Sequence, residues 1–201
     1  NIDIALAQND NPEITGVVEA VSMRETLELM QQLRPKAKIF TALVDGTDSG
    51  QGDLKTFFAQ ATLFPDHRFQ ALSLQDYSFA EYAEQLQKID EDQAVLLLSA
   101  YVDRTGARTD FTTSLERILP HLSQPLFHLW YHGLGQGLIG GKVISHFEQG
   151  RVAAEMALKV LSGAKISEMP VVSESPNQMI FDYSVLQRFG LENHPAIAAA
   201  H

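Results

Sequence analysis

The sequence predicts an α/β fold, with a mostly parallel sheet covered by helices on both faces. Strand-like and helix-like segments alternate along the 201 residues, the pattern of successive βα units. Ala94-Val95-Leu96-Leu97-Leu98-Ser99 is a nearly unbroken apolar run, as expected of a parallel strand buried on both sides. Three polar loops, 45–52, 99–106 and 130–141, each follow a strand-like segment. That places them beyond the carboxyl ends of the strands, where ligands bind in open α/β sheets.

The elements follow in order. A first strand ends in Val17-Val18-Glu19. Ser22-Met23-Arg24-Glu25 reads as a capping box, opening a helix that carries Leu27, Met30 and Leu33 on one face and ends before Pro35. Residues 38–44 form a β run, the loop 45–52 follows, and a short helix covers 53–61. Residues 67–74 are the next strand. Ser78-Phe79-Ala80-Glu81 is a second capping box, for a helix through Ile89. After the apolar strand, Asp110 caps the helix that carries Leu115, Ile118 and Leu119. A strand at 125–130 leads into glycine-rich sequence through Gly141. An amphipathic helix at 150–161 is stopped by Gly163. A strand at 178–183, a helix at 184–189 and a weakly held tail at 192–201 complete the chain.

Composition narrows the function. The chain is 45% hydrophobic and 20% charged, enough for a folded core. Its formal net charge is −10, which disfavours nucleic acid and anionic lipid as partners. It has no cysteine, so disulfides, zinc–thiolate sites and cysteine nucleophiles are excluded. The most apolar run is far below the roughly 20 residues that span a bilayer. The chain opens at Asn1 without a methionine, and a start trimmed of any address is expected.

Several patterns suggest chemistry. Gly135-Gln136-Gly137-Leu138-Ile139-Gly140 fits G-x-G-x-x-G, but that fingerprint needs a helix to open within it. Lys142-Val143-Ile144-Ser145 reads as strand, so no cofactor is expected. His128 and His132 have zinc-helix spacing, yet His128 lies in a strand and no glutamate sits between them; a surface or cleft-edge role is expected. Asp53 reads as turn and cap chemistry, whereas Asp45 and Asp103 occupy strand-end positions. Tyr101, Trp130 and Tyr131 are candidate pocket walls, with packing under a loop as the alternative. No nucleophile elbow or paired-carboxylate spacing is present, so nothing argues for an enzyme.

Four stretches together carry a resemblance. They are Asn11-Pro12-Glu13-Ile14-Thr15-Gly16-Val17-Val18-Glu19; Thr26-Leu27-Glu28-Leu29 running on to Leu33-Arg34-Pro35; Gly140-Gly141-Lys142-Val143 with Glu148-Gln149-Gly150-Arg151-Val152-Ala153-Ala154-Glu155-Met156-Ala157; and Leu161-Ser162-Gly163-Ala164. Their order and spacing resemble the ABC-transporter substrate-binding-protein-like family, which has the type I periplasmic-binding fold. The ending, Phe181-Asp182-Tyr183-Ser184-Val185-Leu186-Gln187-Arg188-Phe189-Gly190-Leu191, looks like the branch used as periplasmic sensor domains of histidine kinases or diguanylate cyclases.

The resemblance implies two lobes around a ligand cleft. Residues 14–149 would form the second-lobe core, and 150–201 would return toward a first lobe lying mostly before Asn1. By loop position, Asp45, Thr47, Ser49, Ser99, Tyr101, Asp103, Tyr131 and Gln136 would supply one wall. The expected partner is a small-molecule ligand, amino-acid-like in its mix of aromatic and polar contacts. The receptor would be periplasmic or otherwise extracytoplasmic, joined to a signalling module or working with an ABC permease. A nucleotide-using α/β enzyme is the third alternative. Val152, Met156, Leu158, Val160, Met179, Ile180 and Phe181 would lack partners without the first lobe, so a homodimer through these elements is a further expectation.

Overall fold

A computed structural model describes residue 11 and residues 13–199. Pro12 of the resemblance and the last two residues of the tail lie outside the described residues. In chain order the elements are α1 (Met23–Leu33), β1 (Ile39–Val44), α2 (Asp48–Ala59), β2 (Arg68–Ser73), α3 (Phe79–Leu86), β3 (Gln93–Leu97) and α4 (Phe111–Ile118). Then come β4 (Leu126–His128), β5 (Gly140–Val143), α5 (His146–Leu161), β6 (Gln178–Phe181), α6 (Tyr183–Arg188) and α7 (Pro195–Ala198).

The six strands form one sheet in the order β2-β1-β3-β4-β5-β6. All neighbours pair in parallel except β6, which runs antiparallel to β5. The period of two along each strand sorts side chains between the faces. Phe40, Ala42 and Val44 of β1 join Leu96 and Phe127 in a core with Leu27 and Met30 of α1. Leu43, Val95, Leu97 and Leu126 point the other way, onto Tyr82 and Leu86 of α3 and Leu115 and Ile118 of α4. Burial on both faces is the physical reason that residues 94–98 are apolar without alternation.

Local capping chemistry starts several helices. At α3 the box is complete: the Ser78 hydroxyl accepts from the Glu81 N–H, and the Glu81 carboxylate accepts from the Ser78 N–H. Asp110 accepts from the Thr113 N–H at the start of α4. The box expected at Ser22 does not form. Its hydroxyl accepts instead from the Asn177 amide, and Glu25 pairs with Lys142 at 2.8 Å.

Four boundaries also differ from the sequence reading. Val17 makes only a single bridge to Val172, because that leading segment lies away from the main sheet pairing. The second helix starts at Asp48, inside the expected loop, since Thr47 caps it despite Gly50 and Gly52. The amphipathic helix starts at His146, four residues earlier than Gly150, because the Ser145 hydroxyl accepts from the Glu148 N–H. Asp182 caps α6 and moves its start to Tyr183.

The C-terminal elements belong to the same body. Val185, Leu186 and Ile197 lie in the α1-side core, and Met179 and Phe181 pack against it. Met156 is buried, whereas Leu158 and Leu161 on α5 are exposed. Among the described residues, no helix is long and apolar enough to cross a membrane.

β6 depends on one glycine. Gly140 has φ of +101°, and a Cβ there would stand 2.1 Å from the Ile180 carbonyl oxygen. Gly140→Ala must therefore both strain its backbone and push β6 away. The expected loss is more than about 2 kcal/mol of unfolding free energy, measured by urea denaturation.

Candidate functional site

The ends of β1 and β3 are tied together by one carboxylate. Asp45, immediately after β1, is fully buried. Its Oδ1 accepts from the Thr47 N–H at 3.0 Å, the Thr47 hydroxyl at 2.6 Å and the Ser99 hydroxyl at 2.9 Å. Its Oδ2 accepts from the Tyr101 N–H at 2.6 Å. Burial opposes its ionisation, but the hydrogen bonds from Thr47, Tyr101 and Ser99 outweigh burial and hold the carboxyl below its ordinary value. Gly50 lets α2 approach this hub: a Cβ there would meet the Ser99 Oγ at 2.2 Å and an Asp45 oxygen at 2.8 Å.

Above the hub lies a cavity of about 780 Å³, within the size range of small-molecule sites. The first turns of α2 contribute Thr47, Asp48, Ser49, Gly52 and Asp53. The segment after β3 gives Leu98, Ser99, Tyr101, Val102 and Arg108, and the β4–β5 side gives Trp130, His132 and Ile144. Glu19 and Val21 close the rim from the leading segment. Aromatic and aliphatic walls thus surround hydroxyls and three carboxylates, with Arg108 as the lining's arginine.

Asp53 shares the burial of Asp45 but not its hydrogen bonds among the described residues. Its residue is 6% exposed, and no hydrogen bond reaches its side chain among the described residues. Burial, with repulsion from Glu19, pushes its carboxyl up to about 6.

Two histidines are also paired. His128 is buried at the end of β4, and its Nδ1 lies 2.9 Å from the Leu97 carbonyl oxygen. A carbonyl only accepts, so Nδ1 carries the proton. Desolvation pushes the ring down to about 3 and keeps it neutral, leaving Nε2 as an acceptor. His132 Nε2 lies 3.4 Å from that atom and would be the donor. His132 is at the cavity, as a cleft-edge residue; His128 is not at the surface, because strand β4 carries it into the interior.

The structure divides the eight residues expected at the site. Thr47, Ser49, Ser99 and Tyr101 line the cavity, and Asp45 sits beneath it. Asp103 turns away: its carboxylate accepts from the Phe79, Thr105 and Ala107 N–H groups and fastens its loop to α3. Tyr131 is half exposed outside the cavity lining. Gln136 accepts from the Thr112 hydroxyl, also outside it. Glu19, Val21, Arg108 and Asp53 are among the cavity residues that sequence reading did not select. No local signal marks the first three, and Asp53 resembles an ordinary turn residue until its burial is known. The segment 135–140 opens no helix; it turns into β5, and the Gly135 N–H donates to Asp182. Among the described residues, no group of three or more histidine, aspartate or glutamate side chains is placed to hold a metal ion.

Opposite consequences follow for the two carboxylates. Asp45→Asn places an amide N–H against a buried donor and should cost about 3 kcal/mol near neutral pH. The folded form holds Asp45 ionised more readily than the unfolded chain does, so its contribution is complete above about pH 4 and fades as pH falls further. Denaturation curves of the two proteins should therefore converge in acid. The raised Asp53 carboxyl works the other way. Its charge costs stability above about pH 6, and the cost disappears as the pH falls toward 4. Asp53→Asn should raise the melting temperature at neutral pH and leave it unchanged near pH 4, as differential scanning calorimetry would show.

Neither a protein-family model nor a curated protein sequence matches the chain. Three solved structures share its fold. An ABC domain from Streptococcus pneumonia, solved in complex with L-Trp, superposes with a TM-score of 0.65 at 19% identity over 92% of this chain and 61% of that one. A conserved domain protein from Vibrio cholerae gives 0.60 at 15% identity over 92% and 61%. The ligand-free, open form of a substrate-binding protein with adhesive properties from Clostridium difficile gives 0.69 at 17% identity over 89% and 59%. The chain spans about three-fifths of the length of each. It has the mixed α/β, periplasmic-binding-protein-like fold of substrate-binding proteins.

Proposed function

We propose that this chain is the ligand-recognising part of an extracytoplasmic small-molecule receptor, and that the cavity above Asp45 is its binding site. The observation that carries this reading is the cavity's position. It lies beyond the carboxyl ends of β1, β3 and β4, with walls from Tyr101 and Trp130 and hydroxyls from Thr47, Ser49 and Ser99. Ligands occupy that position in open parallel sheets. The shared fold with a protein solved in complex with L-Trp supports a small amphipathic ligand, an amino acid among the candidates.

Within that reading we assign a sensor role first, on the resemblance of residues 181–191 to sensor-domain endings. A transport role is the second reading, favoured by the ABC and substrate-binding descriptions of two structural neighbours. In either role residues 14–149 would form one wall of a two-lobed cleft, and one wall encloses less of a ligand than two. Binding by the 201-residue chain alone should therefore be weaker than by the complete receptor. The gene separates the roles: a membrane helix and signalling module after His201 would mark a sensor, and a stop codon there would mark a transport protein.

Binding can be tested by thermal shift against the twenty common amino acids, L-tryptophan included. At least one should raise the melting temperature in proportion to the logarithm of its concentration. Tyr101→Ala and Trp130→Ala should each remove that shift while retaining the far-ultraviolet circular dichroism of the parent. A shift that persists in both variants would place the binding site elsewhere.

A further inference from the structure

We propose that helix α5 is a self-association surface, and that its occupant is the α5 of a second copy of this chain running antiparallel to it. Of the elements expected to lack partners, β6 is satisfied, since Met179 and Phe181 pack against the core. α5 is not. It has 16 residues, and Met156 is the buried one. Phe147, Leu158 and Leu161 are 76%, 62% and 83% exposed. With Ala154 they recur at spacings of seven, four and three residues, so they share one face of the helix. Leaving that apolar stripe in water is costly, and exposed apolar surface of this kind marks association sites.

The charges beside the stripe choose the partner. Glu148, Arg151, Glu155 and Lys159 alternate in sign along one flank of α5. Read from the other end, the order of signs inverts. An antiparallel copy centred near Ala154 therefore sets Lys159 beside the partner's Glu148 and Arg151 beside the partner's Glu155, each twice by symmetry. A parallel copy would set like charges side by side. Arg151 already pairs with Glu148 and Glu155 in its own helix, whereas Lys159 has no carboxylate partner among the described residues. The same register lays Phe147 against the partner's Leu158 and Leu161, and the small Ala154 at the crossing lets the two backbones approach. α5 carries two acids and two bases in a chain of net charge −10, so two acidic molecules can meet there without like charges facing each other. A 16-residue helix is about 24 Å long. One helix pair of that length covers less than a standard interface, which points to a dimer of micromolar strength.

Sedimentation velocity of the 201-residue chain, from about 1 to about 200 µM, tests the proposal. The chain should pass from monomer to dimer across that range. Leu161→Glu should weaken association at least about tenfold. Leu63→Glu, at an exposed leucine on a different element, should leave it unchanged. Two charge reversals test the register. Arg151→Glu and Glu155→Arg each set like charges against each other in a homodimer, so each alone should associate more weakly than the parent. Mixed in equal amounts they restore both opposite pairs and should form a heterodimer. These side chains are exposed, so far-ultraviolet circular dichroism should match the parent in every variant. A monomer throughout the range, a dimer indifferent to Leu161→Glu, or two charge variants that fail to pair when mixed would overturn the proposal. Where the gene encodes a lobe before Asn1, the longer receptor is measured as well. A monomer there would assign the α5 face to that lobe and sink the second copy as its occupant.

Discussion

The shape of this site depends on a buried anion that is fully solvated by protein. Asp45 has exchanged water for four hydrogen bonds to its carboxylate, two from Thr47, one from Ser99 and one from Tyr101. Those donors come from the turn into α2 and from the segment after β3. One side chain thus fixes the distance between two strand ends and the angle at which α2 leaves the sheet. The Gln51 amide donates to the Asp45 carbonyl oxygen at 2.7 Å, adding a backbone tie at the same place. Gly50 makes the arrangement sterically possible. Everything in the cavity wall between Thr47 and Tyr101 inherits its position from this hub.

Its rigidity also needs the sheet below it. β1 is flanked on both sides by parallel partners, β2 and β3, and each face is closed by a separate apolar cluster. A strand held in this way has no freedom to rotate or slide without breaking two ladders and opening two cores. The loops at its end can therefore be polar and functionally specialised, while precision comes from the strands. Asp103 repeats the device after β3, the neighbouring strand in the sheet, accepting backbone N–H groups from its own loop and from Phe79. It stabilises the loop that carries Arg108 without facing the cavity.

The limits of sequence reading follow the range of the interactions. The Ser78 box and the Asp110 cap are legible because their partners lie three residues away. Ser22-Met23-Arg24-Glu25 carries the same local pattern, but Asn177 and Lys142 compete for its side chains from 155 and 117 residues away. The parallel sheet was legible from residues 94–99, since burial on both faces writes itself into composition. At the site, the strand-end rule finds Thr47, Ser99 and Tyr101 because it identifies which end of the sheet a loop occupies. It does not say which way a loop residue points. Asp103 and Gln136 lie in the right loops, but their side chains are occupied with other partners. Burial without a partner is a tertiary property, so Asp53 looks unremarkable in sequence.

Asp45 and Asp53 are eight positions apart and lie at or beside the same cavity, yet folding uses them in opposite ways. For Asp45, protein donors replace water and ionisation favours the native state. For Asp53, water is largely removed, no donor replaces it among the described residues, and ionisation opposes the native state. A neutral side chain at position 53 would relieve that cost without disturbing the Asp45 network, which does not include it. The strain is therefore separable from the scaffold. The cost therefore stays at position 53, on a wall that the Asp45 network holds in place.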